Sequence, residues 1–128
     1  MEKRVRILVV DDSAVSLAIV EQKLKDMYEV ITVNSGVRAL RYLKNEKPDL
    51  ILLDIKMEGK DGIETLKELR AMENGAKIPV IMLTSKNDKG SLIETAKLGI
   101  YDYLLKPFDT EDLHYRIRRA LEKSKRVL

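Results

Sequence analysis

The sequence predicts one doubly wound α/β domain, a five-stranded parallel sheet with helices on both faces. Three observations carry this. First, Ile7-Leu8-Val9-Val10, Leu50-Ile51-Leu52-Leu53 and Val80-Ile81-Met82-Leu83 are apolar runs without alternation, the pattern of strands covered on both sides. Second, the apolar spacing between these runs lengthens to the helical period. Third, strand and helix candidates alternate five times along the chain, which implies right-handed crossovers and a parallel sheet.

Taken in order, the Ile7–Val10 run is the first strand. It is followed by a helical stripe of Leu17, Val20, Leu24 and Met27, with Glu21, Lys23, Lys25 and Asp26 mostly elsewhere. Glu29 to Val33 is more polar and suits an edge strand. Val37, Leu40 and Leu43 mark a second helix, with Arg38, Arg41 and Lys44 turned away. After the third strand, Ile63, Leu66, Leu69 and Met72 mark a third helix whose first turn Asp61 caps. After the fourth strand, Leu92, Ile93 and Ala96 give a shorter helix closed by Gly99 in a left-handed conformation. Tyr101 to Lys106 reads as the second edge strand, and Leu113, Ile117, Ala120 and Leu121 as the last helix. Pro48, Pro79 and Pro107 all fall at element boundaries.

Composition narrows the function. The chain has 128 residues, 45% hydrophobic and 35% charged, which fits one folded domain and excludes a disordered one. It has no cysteine and a single histidine, His114. Disulfide scaffolds, thiolate zinc sites and cysteine nucleophiles are excluded, and a Ser-His-Asp triad has little to build on. No apolar run exceeds four residues, too short for a membrane span. The charged start Met1-Glu2-Lys3-Arg4 is not followed by a signal-length apolar stretch, so a cytoplasmic location is expected. The net charge of +3 is too mild to indicate nucleic-acid binding.

In open parallel sheets, ligands bind beyond the carboxyl ends of the strands. Those ends carry Asp11-Asp12 after the first strand, Asp54 after the third, Thr84-Ser85 after the fourth and Lys106-Pro107 after the fifth. Singly, each has an ordinary use: an aspartate caps a helix, a threonine fills a strand, a lysine is solvated. Together at one sheet edge they form a charge problem. Two carboxylates about 5 Å apart repel by roughly 3 kcal/mol at an effective dielectric near 20, so three need protonation, a lysine or a cation. All-oxygen ligands favour a hard ion such as Mg²⁺ over zinc. The surplus of positive charge and donors then suits phosphoryl oxygens, with a carboxylate as the receiving group.

At this point the chain resembles the receiver domains of bacterial two-component response regulators, including the chemotaxis-regulator type, over essentially its whole length. The resemblance rests on Val9-Val10-Asp11-Asp12-Ser13, on Asp54 with Met57 and Asp61-Gly62, on Leu83-Thr84-Ser85, and on Asp102-Tyr103-Leu104-Leu105-Lys106-Pro107-Phe108. It implies strand order 2-1-3-4-5 and a receiver spanning residues 1–128 with no output domain in this chain. It implies a phosphoacceptor switch, not an enzyme: Asp54 takes a phosphoryl group from a histidine kinase's phosphohistidine. Asp12 and Asp54 would ligate Mg²⁺ directly, Asp11 through water, and the Lys56 backbone carbonyl would add a ligand. Thr84 would hydrogen-bond the phosphoryl group, Lys106 would pair with it across a cis Lys106-Pro107 peptide, and Tyr103 would be the switch aromatic. Implied partners are a sensor histidine kinase or histidine phosphotransfer protein and a downstream effector or output domain. The surface of the fourth helix, fifth strand and fifth helix would serve for partner binding or homodimerisation. Neither nucleic-acid contact nor membrane insertion is implied.

Some positions depart from the usual pattern. Glu58 stands where a proline often follows Met57, which predicts a less rigid loop. Ser85 and Ile100 replace frequent alanines. Lys56 and Lys86 flank the acceptor and the threonine, and both being basic predicts an effect on the approach of the hydrolytic water. The last helix carries Arg116, Arg118, Arg119, Lys123, Lys125 and Arg126, read as a solvated face whose charges complement the helix dipole. His114 is read as a surface or rim residue, and Tyr28, Tyr42, Tyr101 and Tyr115 as packing residues with hydroxyls at the rim. Three alternatives stay open: an interaction module of the same fold that is never phosphorylated, an Asp-nucleophile phosphatase, and a flavin or nucleotide binder. The first usually lacks one of Asp11, Asp12, Asp54 or Lys106. The second expects an aspartate where Lys56 stands, and the third a glycine-rich turn where Asp11-Asp12 stands.

Overall fold

Alternate residues of each central strand feed two separate cores, which is why the runs do not alternate in polarity. The computed structural model describes residues 4–85 and 89–125. The strands are β1 (Arg6–Val10), β2 (Glu29–Val33), β3 (Leu50–Asp54), β4 (Val80–Thr84) and β5 (Asp102–Leu105). They form one parallel sheet in the order β2-β1-β3-β4-β5. The helices are α1 (Ala14–Leu24), α2 (Gly36–Leu43), α3 (Gly62–Arg70), α4 (Lys89–Lys97) and α5 (Thr110–Lys125). On one face Ile7, Val9, Leu50, Leu52, Ile81 and Leu83 pack with Val20 and Leu24 of α1 and Leu113, Ile117 and Ala120 of α5. On the other Leu8, Val10, Ile51, Leu53, Val80 and Met82 pack with Ala39 and Leu43 of α2 and Leu66 and Leu69 of α3. Covering a sheet on both faces buries every residue of β3 and β4, and so excludes water from all but the strand ends.

Local chemistry sets the helix ends. Ser13 and Ser35 cap α1 and α2, accepting from the backbone N–H of Ser16 and Arg38. Asp61 caps α3 as expected and does so in a reciprocal box with Glu64. Gly99 lies at φ 83°, the left-handed turn expected after α4. Arg70, at the end of α3, donates to the carbonyls of Gly75, Ile78 and Gly99 at 2.9, 2.8 and 2.6 Å. It thereby ties the segments entering β4 and leaving α4.

Four residues assigned to inward stripes face solvent. Val37 is 50% and Ile93 63% exposed, and Ala96 is exposed as well. Gly36 and Ala39 line the buried side of α2, because α2 and α3 approach closely. A Cβ on Gly36 would come within 2.0 Å of the Thr65 hydroxyl, so small residues outrank bulky ones at that contact. Among the described side chains of α4 the buried one is Thr95, its hydroxyl satisfied by donating to the Leu92 carbonyl at 2.9 Å. Met27 lies past the end of α1 and is exposed, and Tyr28 turns inward in its place. Tyr115 is exposed and Tyr42 keeps its hydroxyl buried, so neither matches the expected rim placement.

Gly62 carries the sharpest steric demand at the site. An added Cβ would meet the Asp54 carbonyl oxygen at 2.2 Å and the Ile55 Cα at 2.7 Å, and backbone cannot swing aside as a side-chain tip can. Gly62→Ala is expected to lower stability by about 3 kcal/mol, the upper end of ordinary overpacking, read as a drop in urea midpoint at unchanged slope.

Candidate functional site

Asp11, Asp54, Thr84 and Lys106 gather at the carboxyl edge of the sheet, with Asp12 next to Asp11. Asp11 directly follows β1, its N–H still bonded to the Val33 carbonyl at 3.3 Å. Asp54 ends β3, and Ile55 N–H continues the ladder to the Leu83 carbonyl at 3.0 Å. Thr84 ends β4, and Lys106 N–H donates to its carbonyl at 2.8 Å. Backbone pairing therefore carries these side chains to one rim. The Lys106-Pro107 peptide is cis, as the resemblance implied.

The Lys106 ammonium donates to Asp11 Oδ2 at 2.8 Å and lies 3.4 Å from Asp54 Oδ2. Burial works against this ammonium, but its hydrogen bond to Asp11 and the charges of Asp54 and Asp11 prevail and hold its pKa above the usual lysine value. The Asp54 carboxyl is pushed up to about 6, chiefly by burial; Lys106 opposes this and Asp11 adds to it. Asp11 and Asp54 are 1% and 8% exposed, whereas Asp12 is open to solvent. One lysine is shared between two buried carboxylates, and a third stands beside them.

A hard cation fits this donor set. One oxygen from each of Asp11, Asp12 and Asp54 lies within 4.8 Å of the others. All three donors are anionic oxygens, the preference of Mg²⁺ over softer metals. Lys106 is one cation set against three carboxylates, and Asp11 adds to the upward shift that burial imposes on Asp54. The β3–α3 loop borders the same place: Asp12, Ile55, Lys56, Met57, Glu58, Asp61 and Ser91 line a cavity of about 420 Å³. The Lys56 side chain is exposed along this opening.

On the other side, the Thr84 hydroxyl donates to the Ser85 carbonyl at 3.2 Å, and Tyr103 stands outward, 45% exposed. Leu105, Ile93 and Tyr115 are also exposed on β5, α4 and α5. Arg116 is not a free charge of a basic face. It pairs with Asp102 at 2.8 Å and Asp112 at 3.0 Å and donates to the Tyr103 carbonyl at 3.1 Å. His114 sits half-buried at the α1–α5 seam, its Nε2 3.1 Å from the Lys23 carbonyl and its ring stacked on Tyr28. Two contacts were not foreseen. The Glu58 N–H donates to Asp12 Oδ2 at 2.9 Å, which only the loop's path reveals. The Arg116–Asp102 pair joins residues of α5 and β5 whose opposite charges were legible, though their proximity was not. Lys86, Arg126 and the Lys125 side chain lie outside the described residues.

Residues 7–118 match the family model described as the response regulator receiver domain. The alkaline phosphatase synthesis transcriptional regulatory protein PhoP of Bacillus subtilis is 37% identical over 120 residues, 93% of this chain and 49% of that protein. The transcriptional regulatory protein ZraR of Escherichia coli is 38% identical over 116 residues, 90% of this chain and 26% of that protein. The chain thus spans about half the length, or less, of these curated relatives. Among solved structures, a chemotaxis protein of Vibrio cholerae superposes with a TM-score of 0.87 at 31% identity, covering 92% of this chain and 99% of its own. The receiver domain of a sensor histidine kinase of Pseudomonas aeruginosa, solved with magnesium coordinated in its active-site cleft, gives 0.86 at 32% identity, covering 93% and 98%. Among the described residues, no helix is long and apolar enough to cross a membrane.

Proposed function

The chain belongs to the response regulator receiver domain family, and from that membership we propose that it is a phosphoryl-accepting switch in which Asp54 is the acceptor. The observation that carries the reading is the sharing of Lys106 between Asp11 and Asp54, at 2.8 and 3.4 Å, beside a third carboxylate. In the transfer an Asp54 oxygen attacks phosphorus in line, a P–O bond forms, and the P–N bond to the donor imidazole breaks. The imidazole leaves with a proton. Lys106 pairs with the phosphoryl oxygens, and the Thr84 hydroxyl turns from the Ser85 carbonyl to donate to them. Asp12 and Asp54 would hold Mg²⁺ directly and Asp11 through water, with the Lys56 carbonyl as a further protein ligand; when bound, the ion would supply charge neutralisation on the phosphoryl oxygens.

The output follows from Thr84. Once its hydroxyl moves toward the phosphoryl group, space opens for Tyr103 to turn inward, a population shift that needs a few kcal/mol of differential stabilisation. The face of α4, β5 and α5 then differs between the two states and serves an effector, an output domain or a second copy. The phosphoryl donor is a sensor histidine kinase or a histidine phosphotransfer protein in the cytoplasm. The domain assists its own phosphorylation and dephosphorylation and turns over no other substrate. It makes no direct nucleic-acid contact of its own.

A stable acyl-phosphate analogue tests the switch. Beryllofluoride with Mg²⁺ is expected to move the amide resonances of Thr84, Tyr103 and Lys106 well beyond the change caused by Mg²⁺ alone. Identical spectra would remove the reading. Lys56, exposed at the cavity mouth, is expected to hinder the hydrolytic water. Lys56→Ala should speed loss of the phosphoryl group about threefold, a barrier change of about 0.7 kcal/mol; an unchanged rate constant would contradict that role.

A further inference from the structure

We infer that the backbone N–H of Glu58 is a positioning group for Asp12, and that it couples metal loading to the β3–α3 loop. The inference rests on the proposed Mg²⁺ reading of the acidic cluster. Asp12 is the exposed member of that cluster, and a solvated aspartate side chain has several rotamers to lose when it takes a ligand. The Glu58 N–H donates to its Oδ2 at 2.9 Å, which selects one of them.

The segment that supplies this donor is itself anchored. Ile55 is laddered to the Leu83 carbonyl at 3.0 Å and receives the Gly62 N–H on its own carbonyl at 2.8 Å. The Met57 side chain is buried in the core beneath the sheet. Asp54 and Glu58 lie on one five-residue stretch, which offers a carboxylate and an N–H to the same site. The N–H spans from this stretch to Asp12 and so sets where Asp12 stands relative to Asp54. Any residue but proline at position 58 supplies the donor, so the Glu58 side chain is dispensable for this role and its N–H is not.

The experiment is a calorimetric Mg²⁺ titration of metal-free wild type, Glu58→Ala and Glu58→Pro, with urea unfolding of each in chelator. Glu58→Ala keeps the donor and is expected to bind within about twofold of wild type, whereas Glu58→Pro should bind about tenfold more weakly, the low end of losses from removing groups that orient metal ligands. A folded Glu58→Pro that binds Mg²⁺ as tightly as wild type overturns the inference, as does an equal loss in Glu58→Ala. If Glu58→Pro does not fold, amide hydrogen exchange decides. The Glu58 N–H should be protected in metal-free wild type and lose that protection in Asp12→Ala; equal exchange in both overturns the tether. Wild type that binds no Mg²⁺ defeats the metal reading itself and this inference with it, while the exchange comparison still reports whether the contact exists.

Discussion

Replacing Asp54 with asparagine is expected to stabilise the metal-free protein by about 2–3 kcal/mol at pH 8. The Asp54 carboxyl is held near 6 in the fold against an ordinary 3.8, mainly by burial. The sign follows from proton counting. Below pH 3.8 the group is protonated whether the chain is folded or not, and the variant has no advantage. Between 3.8 and 6 the unfolded chain releases the proton while the folded chain keeps it, so wild type loses stability as pH rises. Above 6 the deficit is complete. The variant's advantage should therefore appear between pH 4 and 6 and then level off, as measured by urea unfolding in chelator. Mg²⁺ should shrink it, because a bound cation stabilises the ionised carboxylate only in wild type. A flat difference across this pH range would contradict the assignment of Asp54 as a buried, poorly compensated acid.

Lys106→Met is expected to act in the opposite direction. Removing one partner of a buried ion pair costs about 3–5 kcal/mol where water is excluded. With the Lys106 side chain 29% exposed, about 2 kcal/mol is expected at pH 8 after allowance for screening. Asp11 and Asp54 would then face each other with no cation between them among the described residues, so the Asp54 proton should be retained to still higher pH. Wild type carries the converse signature at the alkaline end. The Lys106 pKa is raised above 10.5 in the fold, so its contribution is fully present below that value and is lost as pH rises through the higher folded one. The variant should lack this alkaline loss, and Mg²⁺ should stabilise it more than wild type. Equal stability of the two proteins at pH 8 would mean that Lys106 is solvated in the fold.

The sheet and the site were legible for one shared reason. Strands buried on both faces must be short continuous apolar runs, and Ile7–Val10, Leu50–Leu53 and Val80–Leu83 could be little else. Once the strands are in order, their carboxyl ends place Asp11, Asp54, Thr84 and Lys106 at one edge, because sheet pairing fixes strand ends more firmly than it fixes side-chain rotamers. Helix faces were less legible. Val37 and Ile93 are bulky and apolar yet exposed, while Gly36 and Thr95 are buried. Val37 loses to the close approach of α2 and α3 at Gly36, and Thr95 is buried at little cost because its hydroxyl bonds within its own helix. Contacts made by backbone atoms or across long sequence distances had no local signal at all. Arg70 gripping the carbonyls of Gly75, Ile78 and Gly99 and Glu58 N–H reaching Asp12 depend on the path of loops. Hydrophobic periodicity says nothing about that path.

Acceptance of a phosphoryl group by Asp54 is tested most directly by intact mass after incubation with Mg²⁺ and phosphoramidate, a small donor whose P–N bond matches that of phosphohistidine. Wild type is expected to gain one phosphoryl group that hydroxylamine removes, and to gain none in chelator; Asp54→Asn should gain none under either condition. A phosphoryl group that still appears on the Asp54→Asn variant, or none on folded, Mg²⁺-bound wild type, would contradict the assignment of Asp54 as the acceptor.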